Sequence, residues 1–312
     1  MVGPILIFGA SGFIGAKLLF NLSRYRDDVF GCSRHTKGSW RFVGRQDDHV
    51  RDIDTSDIAG LRRLVRSIQP KTIFNLSGSR NYENPEELHR TNYLGTYHIL
   101  KALSDMDYEA FVHAGSSSEY GANAAAPDEN DELIPNSDYA VSKVGASYLV
   151  RYFGRVLGYP AMNLRLYSVY GPWDSRGLLI PTIIASARRK RFPKLANQQI
   201  AHDFVYIDDC LNAFVKAALE LSKKKSLFGE PVNIATGVRT TLAGLARIAA
   251  DVLNIPAQPA FDIAKEKEWD SPNWYGNPQK ALDVMGWRHS TPLRKGLELT
   301  AQWETLLSEM RR

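Results

Sequence analysis

The sequence is poor in cysteine and has no long apolar run, and both shortages narrow the kinds of protein it can be. Only Cys32 and Cys210 are cysteines among 312 residues, and they form no CxxC pair. The sequence therefore indicates reduced thiols, with neither a disulfide framework nor a zinc site, and we expect no metal. No apolar stretch approaches the roughly 18–20 residues that a membrane helix needs, and residues 1–10 show no basic segment or cleavage site of a secretory signal. We expect a cytoplasmic protein that does not bind membranes.

Acidic residues do not outnumber basic ones either. Lysine and arginine total 39 against 34 aspartates and glutamates, which gives a net charge of +5. Two basic runs, 188–191 and 223–225, contribute to this charge, but no aromatic stacking platform or known nucleic-acid motif accompanies them. The sequence thus gives no support for nucleic acid as a partner and leaves an anionic small molecule open. A hydrophobic content of 44% is enough for a substantial core.

Residues 110–147 combine an apolar strand that ends in serines with a helix start that carries a tyrosine and a lysine. Tyr139 and Lys143 are four residues apart, so on a helix they share one face, and a fixed positive charge there favours the phenolate. The strand at 111–114 places Ser116 at the carboxyl end, where α/β sheets bind ligands. The pattern predicts a proton-transfer site with Ser116, Tyr139 and Lys143 as catalytic residues.

The same spacing occurs a second time, at Tyr97 and Lys101, and spacing alone does not choose between the pairs. Tyr97 lies in an ordinary amphipathic segment, which is typical of a solvated helix face. Asn136 or Ser137 can cap a helix just before Tyr139, and the serine run lies one strand upstream. This context favours Tyr139.

Residues 4–15, PILIFGASGFIG, predict a dinucleotide-binding turn. An apolar strand, Ile5–Phe8, runs into glycines spaced GxxGxxG and then into a helix-like segment. Glycines at such a turn let the backbone approach a pyrophosphate, and the helix N-terminus supplies free N–H groups and a positive dipole. The residues expected to contact the cofactor here are Gly9, Ser11, Gly12, Phe13, Ile14 and Gly15.

The next strand, about Val29–Cys32, ends where a dinucleotide site meets the adenosine ribose. An acidic residue there binds the free 2′-hydroxyl of NAD, whereas arginine fits the 2′-phosphate of NADP. Arg34 occupies the position, so we expect NADP in preference to NAD. Asp52 and Ile53 are expected to flank the adenine, although a capping or turn aspartate fits the sequence equally well. Leu76, after the following strand, is expected to contact the cofactor.

Apolar strands alternate with helix-like segments along the chain, with strands expected at 71–79, 111–114 and 161–172 and a helix at 86–104. Alternation with short links predicts an α/β fold, a doubly wound parallel sheet of Rossmann type with right-handed crossovers. A smaller substrate lobe must come from insertions. We expect a dinucleotide-binding domain at 1–167 plus about 204–237, and a substrate-binding lobe at about 168–203 plus 238–312.

With these motifs, the chain resembles the extended short-chain dehydrogenase/reductase superfamily, in particular its nucleotide-sugar epimerases and dehydratases. The resemblance covers nearly the whole chain and rests on GASGFIG at 9–15, Asp52-Ile53, NYLGT at 92–96, SSSEYG at 116–121, YAVSK at 139–143, LYSVYGP at 166–172, HDFVYIDD at 202–209 and GW at 286–287. It implies that Ser116, Tyr139 and Lys143 are catalytic, that a sugar carbon is transiently oxidised by bound NAD(P)⁺, and that the substrate is a nucleotide-diphosphate sugar. It also implies a homodimer through the helices at about 86–104 and 138–157.

Departures from the family pattern bear on the reaction. Related 4,6-dehydratases carry an acidic pair, or at least a glutamate, where this chain has Ser117 and Ser118, with Glu119 one place later. The asparagine usual before VYGP is Ser168, and the arginine that would bind the diphosphate is His202. We expect Ser117, Ser118, Ser168, Arg176 and His202 to contact the substrate, with Arg176, Lys190 or Arg191 in place of the missing arginine.

The sequence therefore predicts an enzyme, either a nucleotide-diphosphate-sugar epimerase or a 4-keto-sugar reductase. A 4,6-dehydratase is the alternative within the family. An alternative from another class is a dinucleotide-binding regulatory protein without activity, which would have no need of an aligned tyrosine and lysine.

Overall fold

The computed structural model describes residues 1–36, 39–42, 49–121, 126–266 and 270–309. Its central element is a seven-stranded sheet in the order β10-β6-β5-β4-β1-β2-β3, in which every neighbouring pair is parallel. The strands are β1 Ile5–Phe8, β2 Val29–Ser33, β3 Val50–Asp52, β4 Thr72–Asn75, β5 Ala110–Ser116, β6 Ala161–Leu166 and β10 Pro231–Ile234. The predicted doubly wound α/β fold is confirmed.

Helices cover both faces of this sheet. They are α1 Phe13–Ser23, α2 Ile58–Ile68, α3 Pro85–Leu88, α4 Gly95–Leu103, α5 Asp138–Arg151, α6 Leu179–Ala187, α7 Ile207–Leu221, α8 Leu242–Leu253, α9 Gln279–Met285 and α10 Leu293–Glu309. A π-helical turn, His89–Leu94, joins α3 to α4, and a second, Tyr152–Val156, extends α5. The helices predicted at 86–104 and 138–157 are thus continuous helical segments that contain one widened turn each.

The first strand shows why the sheet is covered on both sides. All four of its residues are buried, and successive side chains of a strand point to opposite faces. Ile5 and Ile7 belong to a large apolar cluster with α1 and α7, whereas Leu6 and Phe8 belong to a second cluster with α2 and α4. A strand without polar alternation is typical of a parallel sheet between two helical layers.

One predicted strand is divided in the structure. The run 161–172 forms β6 in the central sheet, but after Leu166 the chain leaves that sheet, and Ser168–Tyr170 forms β7. This short strand pairs in parallel with β9, Phe204–Tyr206, outside the main sheet. A further pair joins β8, Ala201–His202, to β11, Thr240–Thr241. The prediction of a single strand was wrong because apolar composition continues across the point where the backbone changes partners.

The C-terminal region is anchored to α7 through Asp209. Its carboxylate accepts hydrogen bonds from the backbone N–H groups of Ser290, at 3.1 Å, and Thr291, at 2.9 Å. The indole of the buried Trp287 donates to the backbone oxygen of Asp209 at 3.0 Å. These contacts hold α9 and α10 against the sheet layer.

Two features are absent from the described residues. No helix among them has the length and apolar character to cross a bilayer. Within the same ranges, no cluster of three or more histidine, cysteine, aspartate or glutamate side chains is arranged to hold a metal ion.

Candidate active site

The glycine turn brings β1, β4 and α1 into close contact. Gly9 has a φ of +76°, and a Cβ atom there would lie 2.4 Å from the backbone oxygen of Leu76. A Cβ on Gly15 would lie 2.2 Å from the oxygen of Gly9. Both positions require glycine, since either side chain would push the turn apart.

The start of α1 faces the carboxyl edge of the sheet. Gly12 is its N-cap residue, and no side chain caps the helix. The N–H groups at Phe13 and Ile14 are therefore among the first-turn donors that an anion can use. The Ser11 hydroxyl lies 2.5 Å from that of Ser33, which ties the turn to the end of β2. The residues present fit a dinucleotide, because they leave backbone space and donors for its pyrophosphate.

At the ribose end, Arg34 follows β2 as predicted from sequence. Its guanidinium forms an ion pair with Glu87 at 3.2 Å, and its side chain is 38% exposed. Asp52 accepts hydrogen bonds from the backbone N–H of Thr36, at 2.8 Å, and from the Thr36 hydroxyl. Ile53 donates its backbone N–H to Ser33 at 2.9 Å. Asp52 thus shapes the loop that follows β2.

Ser116, Tyr139 and Lys143 meet at the carboxyl end of β5. Ser137 caps α5 by accepting a hydrogen bond from the backbone N–H of Ala140 at 3.2 Å, so Tyr139 and Lys143 lie one turn apart at the helix start. The Lys143 Nζ atom lies 5.9 Å from the centre of the Tyr139 ring and donates to the backbone oxygen of Ala114 at 3.0 Å. The Ser116 side chain is a neighbour of the Tyr139 phenol and lowers the pKa of that phenol.

The second tyrosine and lysine pair has different surroundings. Tyr97 is exposed on α4, where its ring contacts that of His98. The helix cap before Tyr139, used above to choose between the pairs, is present in the structure as Ser137.

Burial and neighbouring charge set the proton affinities at this site. Burial raises the pKa of Tyr139 above its usual range, while the nearby Arg80 charge and the Ser116 hydrogen bond oppose that rise. Burial lowers the pKa of Lys143 to about 8, with Glu119 opposing the shift and Arg80 adding to it. Lys143 is therefore mainly a cation at neutral pH. Arg80 is a further cation that lowers the pKa of Tyr139, besides Lys143, for which the sequence predicted that role.

Arg80 was not found from the sequence. It follows β4 in the loop 76–84, and the Tyr82 ring of that loop lies 5.6 Å from the Tyr139 ring. Asn92 holds the loop by accepting a hydrogen bond from the backbone N–H of Ser79 at 2.8 Å, and its own amide donates to Ser142 at 2.9 Å. Asn92 lies in the π-helical turn, a feature that is frequent at functional sites. A single arginine in a loop gives no sequence signal of its own.

Glu119 points away from the reacting groups. It is fully buried, and its carboxylate pairs with the buried Arg165, with Nε and Oε2 2.8 Å apart. The other oxygen accepts a hydrogen bond from the backbone N–H of Ser116 at 2.9 Å. Arg165 also donates to the Tyr120 hydroxyl at 2.8 Å. Both oxygens of Glu119 are therefore engaged below the serine loop.

The predicted substrate residues lie on several elements. Ser117 and Ser118 are buried in the 3₁₀ turn Ser117–Tyr120, and Ser118 donates to the Ser116 hydroxyl at 2.8 Å. Ser168 lies 3.2 Å from Nδ1 of His202, whose pKa burial lowers to about 4. His202 is therefore neutral at physiological pH and supplies no charge to a diphosphate.

The loop after β7 is attached to the glycine turn by a residue that the sequence did not single out. Arg41 donates to the backbone oxygen of Trp173 through Nε at 3.0 Å and Nη2 at 2.8 Å, and to that of Ser11 through Nη1 at 3.4 Å. Trp173 has a φ of +78°, a strained conformation for an aromatic residue. Arg176 lies exposed further along this loop.

Together these groups can move one proton at a substrate oxygen. The Tyr139 phenol is a group that can carry the proton, Ser116 is its neighbour, and Lys143 and Arg80 supply positive charge nearby. The glycine turn opens at the same edge of the sheet. The arrangement suits transfer of a hydride and a proton to or from a carbinol carbon.

Comparison with known proteins gives consistent matches over most of the chain. The sequence profile described as "NAD dependent epimerase/dehydratase family" matches residues 5–235. UDP-glucuronate 4-epimerase 4 of Arabidopsis thaliana is 24% identical over 329 residues, covering 96% of this chain and 74% of that protein. An uncharacterized UDP-glucose epimerase of Bacillus subtilis (strain 168) is 27% identical over 319 residues, covering 94% and 95%.

A solved structure shares the fold. The crystal structure of UDP-glucuronic acid 4-epimerase from Bacillus cereus, in complex with UDP-glucuronic acid and NAD, superposes with a TM-score of 0.84. The superposition covers 97% of this chain and 99% of the Bacillus cereus chain, at 22% sequence identity. At that identity the likeness concerns the fold.

Proposed function

The chain belongs to the NAD dependent epimerase/dehydratase family, and from that premise we propose that it is a nucleotide-diphosphate-sugar epimerase or 4-keto-sugar reductase. The enzyme uses a nicotinamide dinucleotide, held by the glycine turn and the N-terminus of α1. The bound dinucleotide would take a hydride from a sugar carbon and return it, or deliver one. The protein's own groups position the sugar and move the proton.

In this proposal Tyr139 exchanges a proton with the sugar hydroxyl at the reacting carbon. Ser116, hydrogen-bonded to the phenol, holds the same oxygen. Lys143 remains protonated below a pH of about 8 and supplies charge beside the phenol. Ser117, Ser118, Ser168 and His202 orient the sugar, and Arg176 approaches the diphosphate from its exposed loop.

The observation that carries the choice of reaction is the position of Glu119. Eliminating water beside a ketone requires a group to take the α-proton and another to protonate the departing hydroxyl. Glu119 is the only carboxylate of the loop 115–121, and its oxygens bond Arg165 and the Ser116 backbone. Ser117 and Ser118 are neutral, with hydroxyl pKa values far too high for a base. Epimerisation and reduction need only the proton that Tyr139 carries.

Mass spectrometry of the products tests this choice. The protein is incubated with UDP-glucose or UDP-glucuronate and either oxidised or reduced dinucleotide. The 4-keto-reductase part of the proposal is tested with UDP-4-keto-6-deoxyglucose as the substrate. We expect a product of unchanged mass, or one heavier by two hydrogens with reduced cofactor consumed. A product lighter by one water, formed by the native protein without net consumption of cofactor, would contradict the proposal.

We further propose that Arg34 contacts a 2′-phosphate, so that NADP binds more tightly than NAD. Support comes from its place directly after β2, from its exposed guanidinium and from its surface ion pair with Glu87, a type of contact worth little. Arg34→Asp should reverse or erase the preference. Arg62→Asp, an exposed change on α2, is the control. Equal dissociation constants for NADPH and NADH in the unmodified protein would refute the role of Arg34.

Besides the substrate, we propose a second copy of this chain as a partner, so that the protein is a homodimer. The helical segments 85–103 and 138–156 expose aromatic and aliphatic side chains, including Tyr93, Tyr97, Tyr148, Tyr152 and Val156. Exposed apolar patches of this kind are typical of interaction surfaces. Light scattering should give twice the chain mass for the native protein and half that value for Tyr148→Arg. The matched control is Tyr25→Arg. Tyr25 is 82% exposed and lies just after α1.

We also propose which parts of the chain bind the dinucleotide and which bind the sugar nucleotide. Residues 1–167 with about 204–237 would bind the dinucleotide, and about 168–203 with 238–312 would bind the sugar nucleotide. Support comes from β10, which lies within the central sheet, and from the β8–β11 pair, which lies outside it. Amide hydrogen exchange should slow mainly in the first set of residues when the dinucleotide is added. It should slow mainly in the second set when UDP is added. Protection in the same peptides for both ligands would contradict the division.

A further inference from the structure

The loop that follows β7 crosses the carboxyl edge of the central sheet, and we call its residues 171–177 the strap. The strap starts after Tyr170, on the β6 side of the sheet, and the ring of Trp173 packs against that of Phe20 on α1, with ring centres 5.5 Å apart. Strands β5 and β4 lie between β6 and β1, the strand that precedes α1. At about 4.8 Å between neighbouring strands, the strap spans roughly 14 Å.

This path takes the strap over the point where the strand order of the sheet reverses. From β1 the sheet continues to β2 and β3 on one side, whereas β4 lies on the other side of β1. In open α/β sheets a ligand binds at such a switch point, in the crevice outside the carboxyl ends of the strands. The glycine turn at 9–15 follows β1 and lies at this crevice. A dinucleotide on the turn would therefore have the strap above it.

Arg41 fastens the middle of the strap to the glycine turn. Its Nε and Nη2 atoms donate to the backbone oxygen of Trp173 at 3.0 and 2.8 Å, and Nη2 also donates to the Ser175 hydroxyl at 3.3 Å. Its Nη1 atom donates to the backbone oxygen of Ser11 at 3.4 Å. A guanidinium has five N–H donors, and these bonds engage four of them. The bonds of Arg41 therefore join two parts of the chain.

The Trp173 ring provides a second attachment. It lines a small cleft together with Leu19 and Phe20 of α1 and with Phe42. The φ of Trp173 is +78°, which is unfavourable for a residue that has a Cβ atom. The ring contacts and the arginine bonds must offset this strain for the strap to stay in place.

Both ends of the strap are glycines with a positive φ, +147° at Gly171 and +90° at Gly177. Gly171 lies against α7, because a Cβ atom there would come within 2.4 Å of the Ile207 side chain. A Cβ atom on Gly177 would meet no described atom within 4 Å. The backbone at Gly177 therefore has room to turn, and a few residues of this kind are enough for a hinge.

We propose that the strap is a gate over the dinucleotide site and that Arg41 is its fastener. The strap opens to admit or release the dinucleotide and closes over it through the bonds of Arg41 to Trp173 and Ser11. Arg41 is a positioning residue in this role, since it holds the strap and exchanges no proton with the substrate. The inference rests on the proposed function, because it requires that the glycine turn binds a dinucleotide.

The rates of dinucleotide exchange test the gate. The association rate constant of NADPH, or of NADH if that binds more tightly, is measured by stopped-flow fluorescence, and the dissociation rate constant by displacement with excess oxidised dinucleotide. In Arg41→Gln both rate constants should rise about ten-fold, the effect of losing hydrogen bonds from a charged group. The equilibrium dissociation constant should stay nearly unchanged, because a closed gate slows passage in both directions equally.

Phe20→Ala loosens the other attachment and leaves the arginine in place. It should also raise both rate constants, so the test does not depend on one variant. The matched control is Arg24→Gln, because the Arg24 guanidinium also lies over the Phe20 ring, 5.9 Å from its centre, but at the exposed end of α1. This control should leave both rate constants as they are in the native protein.

Two results would overturn the gate. One is native rate constants in both Arg41→Gln and Phe20→Ala. The other is faster dissociation with unchanged association, which would mean that Arg41 contributes affinity for the dinucleotide and closes nothing. If exchange accelerates as expected but the native protein converts no sugar nucleotide, the proposed function fails and the gate stands. A native protein that binds neither dinucleotide would refute both.

Discussion

The cofactor side and the substrate side of the site are assembled in different ways. On the cofactor side, the turn at 9–15 is a continuous stretch, and its shape follows from glycines that the backbone contacts require. On the proposed substrate side, contacts join segments far apart in sequence, as between Ser168 and His202 or between Trp274 and Ser117. Local sequence therefore specifies the glycine turn, whereas long-range packing brings together the residues proposed to hold the sugar.

The groups that we propose to be catalytic lie where the two sides meet, and a change there should have the largest effect. Tyr139→Phe removes only the proton carrier, so turnover should fall by about 10²–10⁴-fold. Dinucleotide affinity should stay within a few-fold, because the cofactor side is not altered. Steady-state kinetics and a fluorescence titration with NADPH measure the two quantities.

Tyr97→Phe is the internal control for that prediction, because it alters the other tyrosine of the same spacing on an exposed face. It should leave turnover unchanged. A loss equal to that of Tyr139→Phe would show that the wrong pair was chosen.

Glu119→Gln should mainly change stability. Removing one charge of a buried ion pair leaves Arg165 without compensation and typically costs about 3–5 kcal/mol. Urea denaturation should show that loss in the free energy of unfolding. Glu132→Gln, at an exposed position, should stay within about 0.5 kcal/mol of the native protein. A stable Glu119→Gln protein with unchanged unfolding would mean that the pair is not formed.

A smaller effect is expected for the pH dependence. Burial lowers the pKa of Lys143 to about 8, so the ammonium loses its proton as the pH rises through 8, and activity should decline there. Arg80 lowers the pKa of both Lys143 and Tyr139. In Arg80→Gln both pKa values should therefore rise, and the alkaline decline should move to higher pH.

Turnover measured from pH 6 to 10 checks this shift. Arg62→Gln, on the outer face of α2, should leave the profile where it is in the native protein. A decline that stays in place in Arg80→Gln would show that the arginine charge does not reach the catalytic pair.

The parts that sequence predicted share a physical property. The sheet, the glycine turn and the spacing of Tyr139 and Lys143 depend on neighbours within a few residues, where periodicity and capping act. Ser137 is an example, since it caps α5 through a residue three positions away. Such features follow from local rules.

The parts that sequence did not predict depend on distant contacts. Glu119 lies one position from the place of a catalytic acid, and its carboxylate is bound by Arg165, 46 residues later in the chain. Arg80 and Arg41 are single cations in loops, with no periodicity to mark them. The change of sheet after Leu166 likewise depends on β9, which lies more than thirty residues along the chain.

The attachment of the C-terminal region to Asp209 has a consequence for synthesis on the ribosome. Strand β10 ends at Ile234, so every strand of the central sheet is made before the residues from Trp287 to Thr291 that bond Asp209 and fasten α9 and α10. Trp274, which reaches Ser117, is also made after the sheet. During translation the strands of the sheet and the glycine turn are thus made before the residues that fasten α9 and α10, so the attachment to Asp209 can form only after the whole sheet has been synthesised.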